Sequence, residues 1–363
     1  MVAPRHVQVL VGLLTAAVAV VAAGCSSPGK PRVAVTKSTV ATTTSTTAIG
    51  LAPGPPGGVS TTVVTTAPDL AARPGALVAV TTAGQVVTLD PATGKPLKTL
   101  ASGATGDQVS LTPGGLLVYF EAATGCFHQI GSVAVAGGVP AIVSPGSLPT
   151  TSPDGTLLAF ARQPIASLTA GAGNTCPAEA YAAQSFALVI RVLATGAETV
   201  YPLPPAVVTN GLPLPIGHLS WSADSKRLAV SIASAQDNEG WGVYIFDRTK
   251  DRYYVPSAKP VPVAHPSYFR EAVFLPAGKL FVDKVCCSGL PPKVTSDQLL
   301  IIDPVTGATS QQIAVGLTTV DHSSLDSDRT GRWLLYLSGG DLLLSQDGAK
   351  PIKLASGILA ADW

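Results

Sequence analysis

Thr151-Ser-Pro-Asp-Gly-Thr-Leu-Leu-Ala-Phe160 is the stretch that decides the fold. Pro153 presets φ at one turn position and Gly155 supplies the positive φ at the next. The apolar run that follows is a strand, so the unit reads as a β-hairpin. The pattern returns as Leu111-Thr-Pro-Gly-Gly-Leu-Leu-Val-Tyr119, Trp221-Ser-Ala-Asp-Ser-Lys-Arg-Leu-Ala-Val230, Phe274-Leu-Pro-Ala-Gly-Lys-Leu-Phe-Val282 and Asp328-Arg-Thr-Gly-Arg-Trp-Leu-Leu-Tyr336. Most hairpins are followed by another apolar strand with a polar turn behind it. Val86-Val-Thr-Leu-Asp90-Pro-Ala-Thr-Gly94, Val189-Ile-Arg-Val-Leu-Ala-Thr-Gly196, Val243-Tyr-Ile-Phe-Asp247-Arg-Thr-Lys250 and Leu299-Leu-Ile-Ile-Asp303-Pro-Val-Thr-Gly307 are of this kind. A short outer strand comes next, as in Thr199-Val-Tyr-Pro-Leu203 or Arg252-Tyr-Tyr-Val255. Four strands per repeat make a propeller blade.

These motifs resemble the WD-like repeats of the TolB propeller family, whose blades carry Ser-Pro-Asp-Gly between the first two strands and Asp-x-x-Thr-Gly between the last two. The likeness spans residues 76–363 and is strongest at Ser152 to Gly155. Gly357-Ile-Leu-Ala-Ala-Asp-Trp363 reads as a first strand without its hairpin, and Ala76 to Leu100 as a blade lacking its first strand. Joining the two gives an all-β, six-bladed propeller closed by the C-terminal strand, which removes free sheet edges. Seven or eight blades is the alternative: the insert between Arg162 and Gln184 has room for strands, and Gly84 to Leu100 also resembles a quinoprotein-type repeat.

The chain begins differently. Arg5 supplies a positive start, and Val7 to Ala23 is an uncharged, largely apolar run at the short edge of a membrane span. It ends in Ala22-Ala23-Gly24-Cys25, which resembles a bacterial lipobox, with Ala22 in place of the expected Leu. That resemblance implies a signal peptide over 1–24 and Cys25 as an acylated N-terminus, several acyl chains giving a lasting anchor in the cell membrane. An ordinary secretory signal is the alternative. Residues 25–74 hold a Thr-rich run from Thr36 to Thr66 and Pro53-Gly54-Pro55-Pro56-Gly57-Gly58, with no aromatic residue. Such a composition buries too little apolar surface to offset its ordering entropy, so it reads as a disordered tether ahead of a propeller over 75–363.

A formal net charge of +1 with 12% charged residues argues against nucleic acid, which takes a basic excess. The Ala/Val/Gly/Pro bias with few Lys points to a high-GC bacterium, an actinobacterium by the TolB-like lipoprotein layout; the lipobox implies the extracytoplasmic side, and the chain is expected to be a monomer.

In a propeller, the loop leading into each blade and the loop between its second and third strands share one face, called here the upper face; the two hairpin turns lie on the lower. By that rule Cys126, Cys176, Cys286 and Cys287 are on the upper face. In an oxidising compartment they read as disulfides, Cys126 with Cys176 and Cys286 with Cys287 being the favoured one of three pairings. A thiol switch or metal-binding pair at Cys286-Cys287 is the alternative, although a lone adjacent pair offers few ligands. The same face carries the longest loops, with Tyr181, Asn210, Asp237, Asn238, Glu239, Trp241, His265, Tyr268, Lys284 and Lys293 as candidate binding residues. Solvated polar loops are the plainer reading of each.

For the central channel, aligning first strands places His218 and Glu271 at equivalent positions of adjacent blades, in a ring with Gln108, Leu148, Ser324 and Ala360. A His beside a Glu is able to move a proton or hold a metal, and more commonly forms a structural hydrogen bond. This ring offers one carboxylate, whereas propeller hydrolases gather several. No Gly-x-Ser-x-Gly elbow, P-loop, His-Glu-x-x-His or Cys-x-x-Cys is present, and Ser27-Pro-Gly-Lys30 falls in the tether. No cofactor, metal or catalytic residue is expected. The leading expectation is a binding or scaffold module for an envelope protein or glycan. A cryptic hydrolase or lactonase using the channel, and a sensor or accessory subunit of an envelope system, are the alternatives.

Overall fold

The hairpin signature closes with its own side chains before any packing is added. Ser152 Oγ accepts the Leu157 N–H at 2.9 Å and donates to Asp154 Oδ1 at 2.6 Å, while Asp154 Oδ1 accepts the Thr156 N–H at 3.0 Å. Gly155 takes the left-handed conformation at φ +72°. The turn at Ser222 to Arg227 repeats the set, with Ser225 in the glycine position at φ +56°.

The computed structural model describes residues 75–124, 127–162, 187–204, 208–209, 212–213, 216–232, 242–254, 267–286, 296–316 and 322–363. In chain order, blade 1 contains β1 (Leu77–Thr81), β2 (Gln85–Leu89) and β3 (Pro96–Ser102). Blade 2 is β4 (Ala104–Leu111), β5 (Leu117–Thr124), β6 (Phe127–Ala134) and β7 (Ala141–Pro145). Blade 3 is β8 (Ser147–Thr151), β9 (Leu157–Arg162), β10 (Ala187–Val192) and β11 (Glu198–Tyr201), followed by a two-stranded hairpin of β12 (Val208–Thr209) and β13 (Leu212–Pro213). Blade 4 is β14 (Ile216–Trp221), β15 (Arg227–Ile232), β16 (Val243–Asp247) and β17 (Arg252–Tyr254). Blade 5 is β18 (Ser267–Phe274), β19 (Leu280–Cys286), β20 (Ser296–Ile302) and β21 (Thr309–Gly316). Blade 6 is β22 (His322–Ser327), β23 (Trp333–Ser338), β24 (Asp341–Gln346) and β25 (Ile352–Ser356), and β26 (Ile358–Asp362) returns to blade 1.

Each blade is an antiparallel four-stranded sheet, and blade 1 has the order β26, β1, β2, β3. The protein is therefore a six-bladed propeller closed by its C-terminal strand. Closure runs through the pairs Val78↔Asp362, Ala79↔Ala361 and Val80↔Ala360.

Because side chains alternate across a strand, a blade in the middle of a stack must be apolar on both faces. β9 shows this: Leu158 and Phe160 pack on Tyr119 and Ile130 of blade 2, while Ala159 and Ala161 pack on Leu228 and Val230 of blade 4. Blade 1 does the same, Val78 and Val80 meeting Val109 and Phe120 of blade 2 and Leu77 and Ala79 meeting Trp333 and Leu335 of blade 6. The core is thus a ring of interblade layers around a polar channel.

The first strands descend from the upper face to the lower face, where their turns gather. Gly75 and Trp363 stand among those turns, lining a recess with Leu111 to Gly115 and Asp328 to Thr330.

Candidate functional site at the channel mouth

All six blades contribute to a cavity of about 310 Å³ at the lower mouth of the channel. That is the lower end of the roughly 300–1,000 Å³ range of small-ligand pockets. Its rim is set by the turn chemistry, with Pro113, Pro153, Ala223, Pro276 and Arg329 from blades 2 to 6 and Trp363 from blade 1. Trp221 and Phe274, the last residues of β14 and β18, form apolar wall, and Trp221 Nε1 is fixed by donating to the Thr150 carbonyl at 3.1 Å. Arg329 reaches across to donate to the Pro113 carbonyl, tying blade 6 to blade 2.

The floor carries two carboxyl groups, Asp326 from β22 and Asp362 from β26. Two residues before each lower turn stand Ser110, Thr150, Ser220, Val273 and Asp326, so Asp326 replaces a small side chain in that level. Asp362 Oδ2 accepts the Leu111 N–H at 2.5 Å. Burial raises the Asp326 pKa well above the ordinary carboxyl value, and the neighbouring Asp362 charge raises it further. Asp362 is raised by burial and pulled back by hydrogen bonds from Asp326, the Leu111 and Trp363 N–H groups and Ser110. One shared proton, resting on Asp326, satisfies both environments, as like charges this close resist double ionisation. Among the described residues, the buried Oδ2 of Asp326 meets no N–H or hydroxyl group.

Beneath the floor the channel narrows to a polar cavity of about 40 Å³ lined by Ser110, Ser220, His218 and Ser324 together with Asp326 and Asp362. His218 is only 5% exposed. Burial lowers its pKa to about 4, so it is neutral at pH 7, and it bonds the Ala272 backbone through one ring nitrogen. The other, Nδ1, has no partner among the described residues. Gln108 closes the channel at this depth: its Nε2 donates to the Leu219 carbonyl at 2.7 Å and its Oε1 accepts the Leu219 N–H at 3.2 Å, bridging blades 2 and 4.

Above this plug, two carboxyl groups hold inner strands in unusual conformations. Leu148 and Ser324 have φ of +57° and +50°, at irregularities in β8 and β22. Glu121 Oε2 accepts the Leu148 N–H at 3.1 Å, and Glu271 Oε2 accepts the Leu325 N–H at 3.1 Å, each reaching from the preceding blade. Burial pushes the Glu271 carboxyl up to about 7, against the N–H of Leu325, the Arg270 charge and the N–H of Ser324, with Asp107 adding to the rise. His128 Nδ1 pairs with Glu121 Oε1, and this bond raises the histidine's pKa. Asp107 is raised by burial and by the Glu121 charge.

His218 and Glu271 stand in adjacent blades, as their alignment required, but do not pair: the histidine bonds Ala272 and the glutamate bonds blade 6. Asp326 and Asp362 stand two residues beyond Ser324 and Ala360, so they add two carboxyl groups at the level below the ring that holds Glu271. Pairing of β26 with β1, at Val78↔Asp362 and Val80↔Ala360, places Asp362 against the channel cavity. Among the described residues, no three metal-ligating side chains come together. Of the loop candidates, Lys284 lies in β19 and is half-buried, while Tyr268 and Cys286 are placed as backbone in β18 and β19. Cys25, Cys126, Cys176, Cys287, Tyr181, Asn210, Asp237, Asn238, Glu239, Trp241, His265 and Lys293 lie outside the described residues.

A scan against protein-family models finds no match, and a search of curated proteins finds none. Among solved structures, the chain is similar to TolB from Acinetobacter baumannii, with a TM-score of 0.54 at 16% identity over 79% of this chain. It spans 64% of the length of that TolB. It is also similar to a chain of the nidogen/laminin complex, with a TM-score of 0.51 at 11% identity, covering 79% of this chain and 97% of that one. At these identities the likeness establishes the fold, a TolB-like six-bladed propeller, and leaves the function to the site.

Proposed function

We propose that the chain is a binding module of the bacterial envelope, anchored through Cys25 on the extracytoplasmic side, whose propeller holds an envelope protein or glycan at the lower mouth of its channel. The observation that supports this reading best is the mouth itself, a concave cavity of about 310 Å³ to which every blade contributes. Binding residues concentrate where a rigid scaffold presents loops, and a cavity built from six turns on stacked sheets is such a place. The test is site-specific photocrosslinking in native membranes, with the crosslinker at Pro113 or Ala223 on the lower rim and at Val200 or Val305 on exposed outer positions. A partner trapped from the rim and not from the outer positions supports the reading; trapping only from the outer positions, or from none, overturns it.

A second reading, a hydrolase using the channel, rests on the Asp326–Asp362 pair, since two carboxyls sharing one proton supply an acid and a base together. Turnover of lactone or ester substrates that falls at least about a hundredfold in both Asp326→Asn and Asp362→Asn would support it. No turnover by the native chain rejects it.

A further inference from the structure

We propose that the lower mouth is a seat for a basic side chain, a lysine or arginine presented by a protein partner, whose cationic head binds between Asp326 and Asp362 while its aliphatic stem lies against the proline and aromatic wall. This rests on the reading of the mouth as a binding site and names the chemistry of what enters it.

Three features carry the inference. The first is shape and composition: Pro113, Pro153, Pro276, Trp221 and Phe274 give one part of the wall the apolar character that suits a methylene stem, while Asp326 and Asp362 lie at the floor. The second is the pair of carboxyl groups, which presents oxygen acceptors to a cavity open to solvent. The third is independent of the pair. His218, buried directly beneath, lines the cavity that Asp326 and Asp362 also line, and its Nδ1 has no partner among the described residues. Since the other ring nitrogen bonds Ala272 and the ring is neutral, Nδ1 is an acceptor. With Asp326 Oδ2 it makes two buried acceptors in want of a donor. These two acceptors fit an ammonium or guanidinium group, which offers several donors and a positive charge; among the described residues, the donor without a partner at the mouth is Trp363 Nε1, on the rim.

The other charged groups facing the mouth are engaged. Arg329 donates to the Pro113 carbonyl, and Asp328 accepts the N–H groups of Thr330, Arg332 and Trp333 in its own turn. Binding then couples to protonation. A protonated amine meeting one carboxylic acid and one carboxylate displaces the shared proton to solvent, leaving the cation between two carboxylates. Affinity therefore rises with pH while that proton is bound, by at most about tenfold per pH unit.

The experiment is NMR titration of the full chain with n-butylammonium chloride, with 1-butanol at the same concentration and ionic strength as the neutral counterpart. Two of the chain's 4 tryptophans, Trp221 and Trp363, line the mouth, and their indole N–H signals are the readout. The expected result is a saturable shift of both signals by butylammonium and not by butanol, stronger at pH 7.5 than at pH 5.5. Asp326→Asn and Asp362→Asn should each weaken it by about tenfold or more. Because Asp362 also holds the Leu111 N–H, its variant is checked by thermal melting, and the ammonium-against-butanol comparison in the native chain stands whether or not that variant folds. An equal response to butanol, a response to calcium chloride in place of the amine, or undiminished binding in both Asn variants overturns the proposal. Partner crosslinking at the rim without an ammonium response defeats this inference alone; an ammonium response without crosslinking defeats the broader reading instead.

Discussion

Glu271→Gln should make the propeller more stable at pH 8 and leave it nearly unchanged at pH 4. Glu271 sits between blades 5 and 6 with Oε2 on the Leu325 N–H, a bond that a glutamine carbonyl can accept equally well. Burial holds its carboxyl at about 7 instead of the ordinary 4.5. Below pH 4.5 the group is protonated folded and unfolded, and it costs nothing. As pH rises through 4.5 the unfolded chain ionises freely while the folded chain keeps its proton, so stability falls until the folded group also ionises near pH 7. The accumulated loss is about 3 kcal/mol. Glutamine, which never ionises, removes it. For a domain of this size the gain corresponds to a rise in melting temperature of about 6 °C or more at pH 8. Asp107, Asp326 and Asp362 also have raised pKa values and bend the stability curve the same way. The difference between variant and native chain, measured in urea at each pH from 4 to 8, isolates Glu271. A variant that is less stable than the native chain at pH 8, or a difference that does not change with pH, refutes the argument.

Five further substitutions test the packing. Ser225 stands at φ +56° and its Oγ accepts the Asp154 N–H of blade 3 at 3.2 Å. Ser225→Ala keeps the strain and loses the bond, costing about 1 kcal/mol, whereas Ser225→Gly loses the bond but relieves about as much strain and should come within about 0.5 kcal/mol of the native chain in urea unfolding. Gly94, at φ +67°, would place a Cβ 2.0 Å from the Leu354 carbonyl oxygen, so Gly94→Ala must push the blade 1 turn off blade 6. It should cost at least about 3 kcal/mol, against about 1 kcal/mol for Gly103→Ala, whose Cβ would meet open space at φ +81°. Phe160 is fully buried among Tyr119, Ile130 and Val189. Phe160→Ala should lower the urea-unfolding free energy by about 3–5 kcal/mol, and a loss under 1 kcal/mol would show that the layer between blades 2 and 3 collapses onto the gap.

The blades were legible because their information is local. Ser152, Asp154 and Gly155 close a turn within six residues, and the same hydrogen bonds recur at Ser222 and Asp224, so the repeat can be read with no knowledge of what packs around it. Closure was legible for a related reason, since a strand without a hairpin at one end and a blade without a first strand at the other leave one consistent pairing.

The floor of the mouth was not legible in the same way. Asp326 is signalled only weakly: counting back from the turn aspartate Asp328 puts it at the level of Ser110, Thr150 and Ser220, where a carboxylate is the exception. Asp362 carries less, because its place at the floor comes from pairing of β26 with β1 across the whole length of the propeller, at Val78↔Asp362. Nor does either aspartate alone carry the chemistry. Burial raises Asp326 first and the charge of Asp362 adds to it, while the shift in Asp362 is tempered by Leu111 and Ser110, so the pair's acidity depends on blades 6, 1 and 2 meeting around the ring. A propeller gathers one residue per blade into each level of its channel, and the separation between those residues is set by loop length, which varies freely without disturbing the fold. Its core is therefore written in short-range patterns, while its site is written in the register between blades.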